Sequence, residues 1–314
     1  MSKNVKVATF SFTPISIKYK SENQTTTEFM IAWLDKNINQ VLPDKPDLIV
    51  LPECCDRPLD MSADEVRNYY LEKGDQIIEY LKKKARENHC YIAFDAWRSI
   101  GDNKGFNSCQ MIDRNGEVIG IYDKNYVTFG DTERYNTHCG EDITIFDCDF
   151  GRVGTVVCFD MNFAELRQRY KEAKPDMLLF PSNYHGGPAR AFYAFDVRSY
   201  LVASCGYDVP GEIISPIGES LGITTNHYNY IIRTVNLDYA VIHLDFNWDK
   251  LRAAKEKYGE KVKIHDIGFG GVIMLTSESE EFTAQDIVKE FDITLVDEYL
   301  ARARAHREKY KICK

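Results

Sequence analysis

The chain has 314 residues, 44% of them hydrophobic and 28% charged, and a formal net charge of −9. This composition excludes a disordered or fibrous chain, and the net charge excludes the basic surface that a nucleic-acid backbone requires. No run approaches the roughly 20 apolar residues of a membrane-spanning helix, and the N-terminus lacks the apolar core of a signal peptide. We therefore expect a cytoplasmic protein with neither a nucleic-acid nor a membrane partner, whose nine cysteines are reduced thiols.

The first half of the chain alternates predicted strands with predicted helices. Residues 5–12 begin it with a strand, and a short apolar run at 47–52 predicts a second strand of the buried type. Hydrophobic residues at helical spacing predict helices at 25–41 and 74–89, and the latter carries charges on its opposite side. Residues 90–97 predict the next strand.

The second half adds a hairpin to this alternation. Asn115 and Gly116 are typical of a tight turn and predict antiparallel pairing between residues 110–113 and 118–122. Antiparallel strands therefore enter a partly parallel sheet. The other predicted elements are helices at 162–174 and 189–199, and strands at 153–158, 176–180, 200–205 and several places within 213–244.

This order of elements predicts one α/β domain. Its core is expected to span residues 1–246, and residues 247–314 are expected to form a C-terminal extension of the same domain. Within the extension, the charged segment 250–263 and a terminal helix at 296–309 are candidates for subunit contacts or for plain surface.

Cys158 lies where a predicted strand turns into a predicted helix, and Glu53 and Lys124 follow the ends of two other strands. A thiolate nucleophile needs a nearby base or positive charge, and the free N–H groups of a helix start can hold a negative oxygen. Each residue alone also has an ordinary interpretation. Cys158 fits a buried core position, Lys124 a solvated strand end, and Glu53 a helix cap or an exposed turn.

Three separate blocks of sequence favour the catalytic interpretation over the ordinary one, because together they resemble the nitrilase, or carbon-nitrogen hydrolase, superfamily. Weaker matches follow the third block, so that the resemblance covers residues 5–245. The main blocks are D-L-I-V-L-P-E at 47–53, Y-D-K at 122–124 continuing through F-G-D-T-E-R-Y at 129–135 to Gly140, and V-G-T-V-V-C-F-D-M-N-F-A-E at 153–165.

The resemblance implies a set of catalytic roles. Cys158 corresponds to the nucleophile, Glu53 to the general base, Lys124 to the cation that stabilises the oxyanion, and Glu133 to a second glutamate in the loop after the lysine. The backbone N–H of Phe159 corresponds to a further oxyanion donor. The resemblance also implies an α-β-β-α sandwich, with mixed sheets flanked by helices, that assembles into homodimers or larger homo-oligomers.

Four further residues are candidates for the substrate pocket, because they follow the lysine or the strand after the nucleophile helix. For each of them, ordinary packing fits the sequence equally well. They are Tyr126, Asn183, Tyr184 and His185.

The resemblance leaves the substrate open, since nitriles, primary amides, carbamoyl amines and N-acyl groups are all hydrolysed within the superfamily. Relatives that hydrolyse carbamoyl amino acids or ω-amides commonly hold a substrate carboxylate with an arginine shortly after the nucleophile. Met161 and Asn162 occupy those positions here. The sequence therefore favours either another anchor or an uncharged amide or amine-bearing substrate.

Rival chemistries find less support in the sequence. The G-E-S-L-G segment at 218–222 fits a serine nucleophile elbow, but Pro216 interrupts the strand that should precede it and residues 224–232 favour a strand where a helix is needed. Paired metal ligands such as H-E-x-x-H, a complete dinucleotide loop and a P-loop lysine are missing from the sequence. We therefore predict no metal and no cofactor.

The sequence thus predicts an amidase-like hydrolase of non-peptide carbon-nitrogen bonds that acts on a small amide or a carbamoyl or ureido compound through a cysteine acyl-enzyme. Two alternatives stay open, namely a nitrilase that acts on a nitrile and a non-catalytic superfamily member that binds a small amide or a protein partner. Because all three of Glu53, Lys124 and Cys158 are present, the sequence favours an enzyme.

Overall fold

The computed structural model describes residues 3–268 and 270–312, which fall into two compact units. One unit comprises residues 5–234, and the other combines residues 3–4 with the described residues from 235 onward. The strands are β1 Asn4–Phe10, β2 Leu48–Val50, β3 Tyr91–Gly101, β4 Lys104–Ile112, β5 Val118–Asp123, β6 Thr137–His138, β7 Ile145–Cys148, β8 Gly151–Thr155, β9 Met177–Ser182, β10 Tyr200–Cys205, β11 Glu212–Ile214, β12 Ser220–Ile223, β13 Tyr230–Asn236, β14 Tyr239–His243, β15 Val262–His265 and β16 Val272–Ser277. The α-helices are α1 Thr26–Ile38, α2 Ala63–Lys73, α3 Gln76–Asn88, α4 Phe129–Tyr135, α5 Ala164–Ala173, α6 Ala189–Val197, α7 Trp248–Tyr258, α8 Ala284–Glu290 and α9 Val296–Tyr310.

Local sequence explains where several helices begin. Helix α1 starts after Thr25, whose side chain accepts from the backbone N–H of Glu28 while the Glu28 carboxylate accepts from the backbone N–H of Thr25. Ser62 and Glu65 form the same capping box before α2. These reciprocal bonds satisfy N–H groups that a helix start otherwise leaves free, which fixes the first residue of each helix.

The first sheet has the strand order β13-β1-β2-β3-β4-β5, with β6 paired to β4. Strands β1, β2 and β3 are parallel, whereas β3, β4 and β5 form antiparallel hairpins. The predicted hairpin turn is present between β4 and β5, where Gly116 has a φ of +78°. This sheet is therefore mixed, as the sequence predicts.

The second sheet has the order β12-β11-β10-β9-β8-β7, and its central strands β8, β9 and β10 are parallel. Strands β11 and β12 pair in an antiparallel hairpin. Ser220 begins β12, so the G-E-S-L-G segment leads into a strand and lacks the helix that a serine nucleophile elbow requires.

The two sheets lie face to face within the unit of residues 5–234. Thr9 Oγ1 donates to the carbonyl of Ala203 at 2.8 Å, and Ser204 Oγ donates to the carbonyl of Val50 at 2.8 Å, so hydrogen bonds join the sheets. Helices α1, α2 and α3 share a hydrophobic core with the first sheet, and α5 and α6 share another with the second. The predicted α-β-β-α sandwich is thus confirmed.

The other unit is built around a three-stranded antiparallel sheet of order β14-β16-β15. Its core contains buried side chains from the sheet, α7 and α8. Helix α9 matches the predicted terminal helix, whereas α7 and α8 are additions to the predicted elements. The assignment of residues 247–314 to the same domain as the core stays a prediction.

No helix in the part of the chain that the structure describes is both long enough and apolar enough to cross a membrane.

Strand direction places four side chains at one edge of the sandwich. Glu53 lies three residues beyond the end of β2, Cys158 three beyond β8, Asn183 one beyond β9, and Lys124 one beyond β5. Since the carboxyl ends of strands that run the same way meet at one edge of a sheet, these four residues approach each other although they are far apart in the chain.

Candidate active site

Glu53 is the buried centre of this edge, with 4% of its surface exposed. Its Oε1 atom accepts from Lys124 Nζ at 2.9 Å and from Asn107 Nδ2 at 2.9 Å, and its Oε2 atom accepts from the backbone N–H of Asn183 at 3.0 Å. The turn after Glu53 is tight, because Cys54 has a φ of +47° and donates its N–H to the buried carboxylate of Asp95. Three donors and one turn therefore fix the position of the Glu53 carboxylate.

Cys158 has a φ of +50°, in the left-handed region that a residue with a side chain rarely adopts. A buried carboxylate, that of Asp160, holds the turn in this conformation. It accepts from the backbone N–H of Val157 at 3.1 Å, from the Tyr122 hydroxyl at 2.7 Å and from the backbone N–H of Tyr126 at 2.8 Å. Such backbone strain persists only where the surroundings enforce it, and it is concentrated at functional sites.

The Cys158 thiol contacts both the Glu53 carboxylate and the backbone N–H of Asn183. Burial raises the pKa of the thiol, and the negative charge of Glu53 raises it further, whereas the positive charge of Lys124 opposes both. The thiol is therefore protonated at neutral pH. A protonated thiol needs an adjacent base in order to act as a nucleophile, and Glu53 occupies that position.

Lys124 is almost fully enclosed, with 1% of its surface exposed. Burial acts to lower its pKa, but the negative charges of Glu53 and Asp131 oppose burial, and the pKa lies above its ordinary value. The ammonium group therefore stays charged, and its charge acts on the Cys158 thiol. A fixed cation at this place can stabilise an oxygen that becomes negative during a reaction.

Two acidic residues of α4 lie in different surroundings. Asp131 approaches Lys124, with 3.7 Å between Oδ2 and Nζ. Glu133, the residue that the sequence resemblance selects, is exposed and lines a separate surface cavity with Arg67 and Arg134. The structure therefore brings Asp131, and not Glu133, to Lys124.

This difference leads to a comparison of two variants. We expect Asp131→Asn to lower kcat/KM by about tenfold, because Lys124 loses one of the carboxylates that hold its ammonium group in place, and Glu133→Gln to have a smaller effect. Steady-state kinetics of the two variants, measured side by side with the same substrate, provides the check. A larger loss for Glu133→Gln would favour the assignment made from the sequence.

The predicted residues that follow the lysine and the nucleophile lie close to each other. The Tyr126 hydroxyl donates to Glu165 at 2.7 Å, and its ring stacks on Phe163 with 3.5 Å between centroids. Phe159 is partly exposed and contacts the same Phe163 ring edge-on. A 3-10 turn starts at Cys158, and its first backbone hydrogen bond is donated by the N–H of Asp160. The N–H of Phe159 comes before that bond, so it is available to bind a negatively charged oxygen.

The three predicted residues after β9 differ in their distance from the reacting groups. Asn183 reaches the site directly through its backbone N–H, and its side-chain Oδ1 is buried without a hydrogen-bond donor among the described residues. Tyr184 is half-buried, with its ring edge-on to Phe180. His185 is largely exposed, and partial loss of solvent around its ring, followed by the positive charge of Arg190, lowers its pKa. The structure thus brings Asn183, and not His185, into contact with Glu53.

Sequence reasoning missed Asn107, which the structure places beside Glu53, and Asp160, which supports the turn at Cys158. Asn107 lies in the middle of β4, and Asp160 lies within the turn that it stabilises, so neither position has a distinctive pattern. A narrow cavity next to the Glu53 carboxylate also includes residues outside the three sequence blocks. It is lined by Glu53, Cys54, Arg57, Tyr70, Trp97, Asn107, Asp131, Tyr135, Thr137 and Asn183.

Known proteins share the sequence pattern as well as the fold. The family model for carbon-nitrogen hydrolases matches residues 14–224. Nitrilase homolog 2 of Dictyostelium discoideum is 22% identical over 238 residues, covering 70% of this chain and 71% of that protein. Omega-amidase NIT2 of Homo sapiens is 23% identical over 230 residues, covering 67% of this chain and 80% of that protein.

Solved structures of the nitrilase superfamily share the fold. Nit3 of Saccharomyces cerevisiae, a member of branch 10 of that superfamily, has a TM-score of 0.64 and 18% identity, covering 74% of this chain and 90% of its own. A variant of an amidase from Nesterenkonia sp. has a TM-score of 0.65 and 14% identity over 75% of this chain and 91% of its own, and it carries the acetamide moiety of fluoroacetamide covalently added at its active-site cysteine. The resemblance predicted from three blocks of sequence is confirmed, and the chain belongs to the carbon-nitrogen hydrolase family.

Proposed function

We propose that this carbon-nitrogen hydrolase cleaves a small amide or ureido compound through an acyl-enzyme on Cys158. One observation carries the proposal, namely that the Cys158 thiol, the Glu53 carboxylate and the Lys124 ammonium group meet in one hydrogen-bonded cluster. The assignment of an amide rather than a nitrile is supported by the relatives whose names describe amidases.

In the first half of the reaction, Glu53 removes the thiol proton as the sulfur attacks the carbonyl carbon, and the carbonyl π pair moves to oxygen. Lys124 and the N–H of Phe159 stabilise that oxygen, because both are fixed donors that need no rearrangement. The intermediate then collapses, the carbon-nitrogen bond breaks, and the leaving amine takes the proton from Glu53. The product on the enzyme is a thioester.

In the second half, water replaces the amine. Glu53 removes a proton from the water as its oxygen attacks the thioester carbon, and the same two donors stabilise the oxygen again. Collapse then breaks the carbon-sulfur bond, the acid leaves, and the sulfur regains the proton from Glu53. One carboxylate therefore acts as base and acid in each half, which agrees with its position between the thiol and the cation.

A substrate screen tests the proposal. The purified protein is incubated with small amides, ureido compounds and nitriles, and ammonia release is measured for the native chain and for Glu53→Gln. We expect release from an amide or ureido compound, lowered at least about 10²-fold in Glu53→Gln because the substitution removes the base with little change in volume. Release from nitriles alone would instead identify a nitrilase, and release from none of the three classes would favour a binding protein.

The proposal extends to location and assembly. The protein acts in the cytoplasm as a homodimer or larger homo-oligomer, in keeping with the family resemblance. Sedimentation velocity of the purified chain measures the size of the assembly, and a monomer at micromolar concentration would contradict this part.

A further inference from the structure

The cavity beside Glu53 contains a cation that the reaction described above does not use. Arg57 lies four residues after Glu53, is half-buried, and donates from Nη1 to the Tyr70 hydroxyl at 2.9 Å. Its guanidinium carbon lies 4.9 Å from the centre of the Tyr135 ring. The side chain is thus held between two aromatic residues that line the same cavity.

Arg57 forms no salt bridge with a carboxylate of the residues that the structure describes. The two acidic residues lining its cavity are engaged elsewhere, since Glu53 accepts from Lys124 and Asp131 lies 3.7 Å from the same ammonium group. An arginine is charged at every physiological pH, and removing a charge from water without a partner is costly. A cation of this kind, next to a reacting carboxylate, suits a ligand that brings its own negative charge.

Trp97 also lines this cavity, and its side chain contains a donor without an acceptor in the described part of the chain. Trp97 is 5% exposed, and its indole N–H is buried without a hydrogen-bond partner among the described residues. The indole nitrogen can only donate, so the group that would satisfy it is an acceptor. Its ring stacks on that of Tyr70, with 4.8 Å between centroids, so Tyr70 links Trp97 to Arg57.

We propose that Arg57 binds a carboxylate at the end of the substrate remote from the bond that is cleaved, so that the substrate is an anionic amide. The inference rests on the proposed function, since it assigns the substrate class of that same site. A guanidinium group presents a planar fork of donors that matches a carboxylate, and Tyr70 uses only one of them. One cation between aromatic rings suits a group with a single negative charge.

An anchor at Arg57 is consistent with the absence of arginine at positions 161 and 162. Met161 is buried within the core of the second sheet, and the Asn162 amide donates to the carbonyl of Phe159 at 2.9 Å. Neither side chain supplies a cation. Arg57 supplies one from the loop after β2, on the same turn that carries the Glu53 base.

The test compares matched substrates and matched variants. The substrates are linear dicarboxylic acid monoamides with two to four methylene groups and the corresponding neutral diamides. The variants are Arg57→Gln, which removes the charge, Arg57→Lys, which keeps it without the fork, and Arg67→Gln as a control at an arginine paired with Asp64. The measured quantity is the ratio of kcat/KM for the monoamide to that for the diamide.

We expect the native chain to prefer one of the monoamides and Arg57→Gln to lower the ratio at least about tenfold, chiefly through KM. Arg57→Lys should give an intermediate ratio, and Arg67→Gln should leave the ratio unchanged. Equal turnover of monoamide and diamide by the native chain, or a ratio that Arg57→Gln does not change, would overturn the proposal.

A binding measurement separates this inference from the proposed reaction. Calorimetric titration with the dicarboxylic acid of the preferred length needs no turnover and is performed on the native chain and on the Arg57 variants. Where no length is preferred, the acids with two, three and four methylene groups are all titrated. Binding that weakens in Arg57→Gln supports the anchor even if no amide is hydrolysed, whereas amide turnover with no Arg57-dependent binding or preference supports the reaction and contradicts the anchor.

Discussion

Cys158→Ala is expected to lower amide turnover by at least about 10³-fold while leaving the fold intact, because the substitution removes the sulfur that forms the acyl bond in the proposed reaction. The thiol lies against Glu53 and Asn183 but is not part of a large hydrophobic contact. Ammonia release measures turnover, and circular dichroism with thermal unfolding measures the fold.

A matched control uses another thiol. Cys139 is exposed, so Cys139→Ala should retain native turnover. Mass spectrometry after incubation with a haloacetamide should place the covalent adduct at position 158 in the native chain and in Cys139→Ala. Turnover that survives Cys158→Ala, or an adduct found only on other cysteines, would contradict the acyl-enzyme.

The second large effect is expected from Lys124→Met, which should lower both activity and stability. The substitution leaves the buried Glu53 carboxylate without its cation, and removing one partner of a buried pair typically costs about 3–5 kcal/mol. We also expect kcat to fall at least about 10²-fold, because the substitution removes the donor that we propose for the oxyanion. Urea denaturation gives the free energy of unfolding, and steady-state kinetics gives kcat.

A double variant separates the two effects. Glu53→Gln removes the unpaired charge, so the double variant Glu53→Gln, Lys124→Met should recover part of the lost stability without recovering activity. A coupling energy of about 0.5–3 kcal/mol is the range expected for residues in contact. Additive losses of stability would mean that the two side chains do not interact in solution.

The sequence predicted that the three candidate catalytic residues follow the ends of strands. Glu53, Lys124 and Cys158 each follow a strand whose apolar pattern is clear, and the direction of those strands brings the residues to one edge. The roles proposed for them come from the resemblance, because the apolar pattern alone does not contain them. Local spacing also predicted α1 within three residues of its observed ends.

The sequence alone could not determine whether Asp131 or Glu133 of α4 faces Lys124. Residues two apart on a helix point about 200° away from each other, so Asp131 and Glu133 cannot face the same partner. Glu133 was predicted to lie in a loop, and the segment lacks the apolar spacing that would fix the rotation of a seven-residue helix. Only packing against neighbouring elements determines which acid faces Lys124.

Arg57 and α2 were missed for related reasons. A single arginine after a turn is usually solvated, and its enclosure depends on Tyr70 and Tyr135, which come from separate helices. The buried face of α2 includes Val66, Tyr69 and Tyr70, and tyrosine and valine favour strands. Tertiary packing overrides that preference here.

The left-handed backbone at Cys158 implies that stability and reactivity favour different amino acids at this position. Holding a residue with a side chain in that region costs roughly 1–2 kcal/mol, and glycine would avoid the cost. Laboratory selection for heat resistance alone would therefore tend to replace Cys158 with glycine. A thermostable form of this enzyme is better sought on the outer helices, where substitutions leave the turn and its supporting carboxylate untouched.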